Sequence, residues 1–238
     1  PKDWFTPLVE FHKADTFRKL MPLLVIIGFI TFVIGYLEVE YFKVKADSYV
    51  KNIPVMHSLL GFAISMLLVF RTNTAYDRWW EGRKLWGGLV NSSRNLAIKV
   101  HSMIPKEDTE SRTFFRRIIP MYAAALKDHL QSRQTQFSLD ENKNALFGMQ
   151  PMDHEKHVPN QLAKQLFAKV NELYQAKILS GDQLIVLNGE LVSFTDICGA
   201  CERILNTPIP YSYSAFIKKF IMLYVLTLPL GYSFSLGY

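Results

Sequence analysis

Three segments of the chain contain no Asp, Glu, Lys or Arg, namely residues 20–37, 52–70 and 220–238. Each is 18 or 19 residues long and has charged residues at one or both borders. Because about 20 helical residues cross the roughly 30 Å core of a bilayer, each segment can span a membrane. A buried core helix is the alternative reading, but three such segments in one short chain favour three transmembrane helices.

Basic residues near the ends of these segments predict their orientation. Arg18 and Lys19 precede the first span, Arg71 follows the second, and Lys218 and Lys219 precede the third. Lysine and arginine at span ends favour the cytoplasmic side. We therefore place the amphipathic segment 1–19 and the region 71–219, which holds 20 of the 27 basic residues, in the cytoplasm and loop 38–51 outside.

The third segment reaches Tyr238 without a polar tail, and the chain begins at Pro1 rather than at Met. We expect a fragment of a longer protein, in which a fourth span returns the chain to the cytoplasm. The first segment is not read as a cleaved signal peptide, because 19 residues precede it and no A-x-A cleavage site follows.

The pattern of apolar positions between the spans is helical. No proline lies between Arg71 and Ile104, and if the second span continues into this region, residues 54–104 form one helix of 51 residues, about 77 Å long at 1.5 Å per residue. We predict further helices over Thr113–Gln131, Gln161–Lys177 and Asp182–Asn206, a polar loop over 134–158 and an extended link over Asn206–Tyr213. No strand is predicted, so the fold class is all-α, a multi-span helical membrane protein.

The composition agrees with a chain that has both membrane-spanning and water-facing segments. The mean hydropathy of +0.07 and the net charge of +6 exclude a disordered chain, and two cysteines exclude a disulfide scaffold. The uncharged spans account for the hydropathy, and the region 71–219 accounts for the charge.

Few residues suggest reaction chemistry. Cys198 and Cys201 form a C-x-x-C, but zinc needs further ligands and a redox motif needs a βαβ context, so packing on one helix face is the favoured reading. His154 and His157 stand in DHEKH, which lacks the order of a zinc motif and reads as a solvated loop. We therefore expect no metal site, no cofactor and no enzyme.

Basic residues do not require nucleic acid. Arg112, Arg116 and Arg117 are interspersed with apolar residues and follow Glu107 and Glu110. A solvated face near anionic lipid explains them, and no nucleic-acid partner is expected.

The second span carries an apolar stripe, Phe62, Met66 and Phe70, at i, i+4 and i+8. We call these three residues the neck stripe. They either face lipid or the core, or, in a symmetric oligomer, they form apolar rings that gate a pore by dewetting. Trp79, Trp80 and Trp86 follow the stripe and are expected to pack the cytoplasmic helices.

Two segments resemble bacterial bestrophin-like channels. Residues 58–87 (SLLGFAISMLLVFRTNTAYDRWWEGRKLWG) are similar to the family's second span and following helix, and residues 201–213 (CERILNTPIPYSY) are similar to its link into the third span. The resemblance implies a homopentameric ion channel of the bacterial inner membrane with a cytoplasmic N-terminus, in contact with membrane lipids. It also implies that the second spans surround an apolar neck, which falls on the neck stripe.

The resemblance places a cytoplasmic aperture near Asp182 and Gln183, where relatives often have an apolar residue. Five carboxylates around one axis attract cations and repel anions. Alternatively, Asp182 only caps the helix 182–206. The family's calcium-binding acidic residues follow the fourth span, so no calcium site is expected in this chain.

The function expected from the resemblance is conduction of small monovalent ions. Anions such as chloride are the family's permeant ions, and a cation preference is possible in a bacterial-type member. Two other functions stay open: a non-conducting membrane scaffold or sensor whose cytoplasmic helices bind a partner, and a membrane-bound redox enzyme using Cys198 and Cys201.

Overall fold

A computed structural model describes residues 15–41, 52–131, 150, 152–153 and 156–236. Every regular element among these residues is helical. The helices are α1 Asp15–Tyr36, followed by a π-helical turn Leu37–Tyr41, α2 Ile53–Met103, α3 Thr109–Leu130, α4 Val158–Gln175, α5 Gly181–Asn206 and α6 Tyr211–Leu236. The chain divides into two compact units, Pro1–Asn73 with Ile209–Tyr238, and Thr74–Pro208.

The first unit holds the three apolar segments. Helix α1 packs against α6, and the first part of α2 contacts α6 through His57 and Gly61. The side chains of α1 are mostly exposed within the single chain, among them Phe29 and Phe32. Three helices of the described chain are long and apolar enough to cross a membrane. Their exposed apolar faces fit a lipid environment or contact with other subunits.

The second unit is built around an apolar core to which the later part of α2, α3, α4 and α5 contribute. Tyr122 of α3 and Phe194 of α5 lie at its centre with their rings 4.9 Å apart and edge to face. The Tyr122 hydroxyl donates a hydrogen bond of 2.8 Å to the Phe194 carbonyl, so the buried phenol is satisfied. Other core residues include Leu89, Leu96, Ile118, Leu162, Leu166, Leu187 and Leu191.

The predicted helices agree with the structure in kind and differ at their ends. The single long helix is confirmed, since Ile53–Met103 is one helix of 51 residues. Helix α3 begins four residues before the predicted start, because the Asp108 carboxylate accepts the Ser111 N–H and caps it. The link before α6 is confined to residues 207–210, because α6 begins at Tyr211. Most of the predicted loop 134–158 lies outside the described residues.

Candidate functional site

The neck stripe lies on the face of α2 that its own chain leaves exposed. Phe62, Met66 and Phe70 are 71%, 50% and 51% exposed, whereas Ile64 is 9% exposed. At about 100° per residue, the stripe lies roughly half a turn from His57, Gly61 and Ile64. The apolar side of α2 available to another subunit or to lipid is therefore the side that carries the stripe.

The opposite face of α2 is held against α6 by a buried histidine. Nδ1 of His57 lies 3.2 Å from the Ile53 carbonyl oxygen, and Nε2 lies 3.0 Å from Oγ1 of Thr227. The His57 and Tyr224 rings meet edge to face at 5.2 Å. Sequence reasoning missed this contact, although a lone histidine in the uncharged segment 52–70 was a signal for it.

The residues proposed for the aperture begin α5. Ser180 is the N-cap, and its hydroxyl oxygen accepts the Gln183 N–H at 3.2 Å. The Gln183 side-chain oxygen accepts the Ser180 N–H at 2.9 Å, which completes a capping box. The prediction that Asp182 caps this helix is therefore wrong: Asp182 is an exposed residue of the first turn, where the helix dipole favours a carboxylate.

Two arginines join the end of α5 to the part of α2 that lies in the second unit. Arg78 donates hydrogen bonds to the carbonyl oxygens of Ile204, at 2.6 Å, and Thr207. Arg203 pairs with Glu81. Arg78 thereby gives a partner to the Ile204 carbonyl in the last turn of α5 and to the Thr207 carbonyl at its C-cap.

Three side chains from three helices meet elsewhere in the second unit. They are His129 in the last turn of α3, His157 at the N-cap of α4, and Glu202 near the end of α5, and we call them the His–Glu cluster. Nε2 of His129 lies 2.8 Å and Nε2 of His157 lies 2.5 Å from the same Glu202 oxygen, Oε1. The two imidazole rings are 4.3 Å apart.

The imidazoles determine the charge of the carboxyl group between them. Partial burial raises the pKa of Glu202, but the hydrogen bonds from His157 and His129 outweigh this effect and bring the pKa below its ordinary value. Glu202 is therefore a carboxylate at neutral pH. Carboxylate and imidazole atoms within 4.8 Å of one another are also a ligand set that metal ions accept.

The two cysteines lie in the core as free thiols, which confirms their interpretation as packing residues. Burial raises the pKa of Cys198 to about 11, and the nearby Glu202 carboxylate contributes to the shift. Burial also raises the pKa of Cys201. Both thiols are protonated at neutral pH and are poor nucleophiles.

The structure corrects two interpretations of basic residues. His157 is not a solvated loop residue, because it caps α4 and contacts Glu202; His154 lies outside the described residues. Arg112 is not a solvated cation, because its guanidinium donates to the carbonyl oxygens of His101, Ile104 and Pro105 at the end of α2.

The tryptophans after the neck stripe differ from one another. Trp86 packs against the apolar core of the second unit, as expected. Trp79 and Trp80 are exposed within the single chain, so packing of these two side chains against helices of the assembly stays a prediction.

Comparison with known proteins supplies the family. The model of the family "Bacterial/Fungal Bestrophin protein" matches residues 1–238. A voltage-dependent anion channel-forming protein of Nostoc is 35% identical over 80% of this chain and 64% of its own length. A protein of the same name from Ralstonia nicotianae is 27% identical over 98% of this chain and 75% of its own length.

Solved structures agree on the fold. A bacterial bestrophin homologue from Klebsiella pneumoniae matches with a TM-score of 0.75 and 22% identity, over 92% of this chain and 80% of that one. The sequence relatives are named as channel-forming proteins rather than enzymes, in agreement with the expectation. With its three long apolar helices, the protein is an integral membrane protein. The chain belongs to the bacterial and fungal bestrophin family.

Proposed function

We propose that the chain is one subunit of a homopentameric ion channel in the bacterial inner membrane, with its N-terminus in the cytoplasm. The observation that carries the proposal is the division of α2 into two faces. His57 and Gly61 face α6, and the neck stripe is exposed about half a turn away. The stripe is thus available to line a space between subunits.

Five copies of α2 around one axis form three apolar rings from the neck stripe. Such rings exclude water when narrow and pass hydrated ions when wider, which is gating by dewetting. Met66 supplies the middle ring with a flexible, unbranched side chain, so this ring changes width at little cost. Relatives named as voltage-dependent anion channel-forming proteins support this function, although the chain spans only 64% of the first of them.

The names of these relatives support anions as the permeant ions, and we propose small monovalent anions such as chloride. Asp182 opposes this preference, because a ring of five exposed carboxylates at the start of α5 repels anions and attracts cations. Gln183 is neutral and holds its side-chain oxygen in the capping box. The balance between anion and cation permeation is therefore set at this proposed aperture by Asp182.

The neck is tested by recording from purified protein in planar bilayers. Changing Phe62, Met66 and Phe70 together to alanine widens the proposed rings and is expected to raise conductance and weaken closure. The matched control changes Phe29 and Phe32 to alanine, because these α1 side chains are similarly exposed without belonging to the stripe. Unchanged gating and conductance in the stripe variant contradicts the neck assignment.

Oligomer mass distinguishes a channel from the main alternative. A detergent-solubilised particle of five chains that conducts in liposomes supports a central pore. A dimeric particle without current supports a membrane scaffold or sensor, in which the exposed helices bind a partner instead of surrounding ions.

A further inference from the structure

We propose that the His–Glu cluster binds a divalent transition-metal ion of the zinc type. This inference is independent of the proposed channel activity, because it concerns ligands that lie within the second unit of one chain. Such an ion would join α3, α4 and the end of α5 through one ligand from each.

The ligands are brought together by the packing of the helices. His129, His157 and Glu202 lie far apart in sequence, yet their ligand atoms are within 4.8 Å of one another. Their side chains are 33%, 30% and 28% exposed, so an ion has a path from solvent. The surrounding core holds the three backbones in place, since Leu126, Val158 and Cys198 are buried.

The spacing of the ligand atoms requires only a small adjustment. Bonds of about 2.0–2.1 Å in tetrahedral geometry place ligand atoms roughly 3.3 Å apart. The two Nε2 atoms are 2.8 and 2.5 Å from Glu202 Oε1, so a bound ion separates each pair by less than about 1 Å. Small rotations of partly exposed side chains provide this movement.

The ligand types select the class of metal. Two imidazoles and one carboxylate suit zinc and similar transition metals, whereas calcium and magnesium prefer oxygen ligands only. Three protein ligands leave a fourth position for water. No cysteine belongs to the ligand group found among the described residues.

Proton positions give the proposal a specific consequence. Without metal, Nδ1 of His157 accepts the Asn160 N–H at 3.2 Å, so Nε2 carries the proton and donates it to Glu202. A metal ion on Nε2 moves that proton to Nδ1, which then no longer accepts the Asn160 N–H. Metal binding and capping of α4 by His157 therefore compete, and the competition lowers the affinity without abolishing it.

Binding is measured by titrating the EDTA-treated, dialysed full chain in detergent with zinc chloride in a calorimeter. The expected result is one zinc ion per chain and no binding of magnesium. Cobalt(II) at the same site is expected to give the visible absorption of tetrahedral coordination.

Two variants locate the site. His157→Asn keeps a residue suited to N-capping and removes an imidazole, and Glu202→Gln removes the carboxylate charge at nearly constant shape. Each is expected to weaken zinc binding by more than about tenfold, the typical cost of losing even an outer-shell partner. His101→Asn is the matched control, because His101 is an exposed histidine of the same unit outside the cluster, and zinc binding is expected to stay unchanged.

Failure of the wild-type protein to bind zinc overturns the proposal, and so does binding that is unchanged in both variants. Circular dichroism shows whether each variant is folded. If Glu202→Gln does not fold, His129→Asn replaces it with the same expected loss. None of these outcomes depends on conductance, so the site and the channel can fail separately.

Discussion

Nε2 of the buried His57 lies 3.0 Å from Oγ1 of Thr227, which joins α2 to α6 within the first unit. On the same ring, Nδ1 lies 3.2 Å from the carbonyl oxygen of Ile53. Polar groups in hydrocarbon must find partners inside the protein, so this ring favours one rotation of α2 about its axis. That rotation turns His57 to α6 and leaves the neck stripe exposed.

Replacement of His57 by leucine is expected to lower the free energy of unfolding by about 1 kcal/mol, because polar contacts between transmembrane helices contribute this order of energy. Thermal unfolding in detergent measures the change. Ser58→Ala is the matched control, because the neighbouring hydroxyl donates to the Pro54 carbonyl oxygen of its own helix, at 2.9 Å. Equal losses in both variants would show that His57 has no special role between the helices.

Two residues at the start of α5 are expected to have different roles, Ser180 in stability and Asp182 in ion selection. Ser180→Ala removes a capping-box hydroxyl and is expected to cost about 1 kcal/mol of stability. Asp182→Ala leaves the capping box intact and is expected to raise anion over cation permeability with a smaller loss of stability. Unfolding curves and reversal potentials under a salt gradient measure the two effects. An unchanged reversal potential in Asp182→Ala removes the carboxylate from the proposed aperture.

Patterns formed by residues that lie close together in the sequence predicted most of the helices. The uncharged segments predicted the three apolar helices, and the absence of proline between Arg71 and Ile104 predicted that the second of them continues to give the 51 residues of α2. The capping box was also visible, because Ser180 and Gln183 have the S-x-x-Q spacing. The interpretation of Asp182 as the N-cap was wrong, because Ser180, which precedes Gly181, is the N-cap of α5.

The contacts between helices could not be predicted in the same way. His129, His157 and Glu202 meet only because α3, α4 and α5 pack together, and no local motif contains two of them. His57 joins α2 to a helix more than 150 residues later in the chain. Such pairs depend on helix rotation and crossing, which the apolar pattern of a single helix does not specify.

The lowered pKa of Glu202 predicts a stability that depends on pH. The unfolded carboxyl group, with a pKa near 4.5, takes up a proton before the folded one does as the pH falls. The stabilisation from Glu202 is therefore complete above about pH 4.5 and is lost as the pH falls through the lower folded pKa. We expect the wild type to lose more unfolding free energy than Glu202→Gln between pH 5 and pH 3, both measured by denaturant unfolding with EDTA present.

Glu172→Gln is the control for that measurement, since Glu172 is an exposed carboxylate paired with Lys169 on its own helix. It is expected to follow the wild-type pH dependence closely. A wild type and a Glu202→Gln variant with parallel pH profiles would mean that the histidines do not stabilise the carboxylate.

The buried thiols predict that the native protein resists alkylation. With a pKa of about 11, Cys198 is ionised in only about one molecule in a thousand at pH 8, and only the thiolate reacts. N-ethylmaleimide is therefore expected to label Cys198 and Cys201 only after denaturation, as followed by mass spectrometry. A cysteine introduced by Asp196→Cys, at an exposed position of α5, serves as the control and is expected to react rapidly in the native protein. Rapid native labelling of Cys198 would contradict its place in the core and reopen a redox function for the C-x-x-C pair.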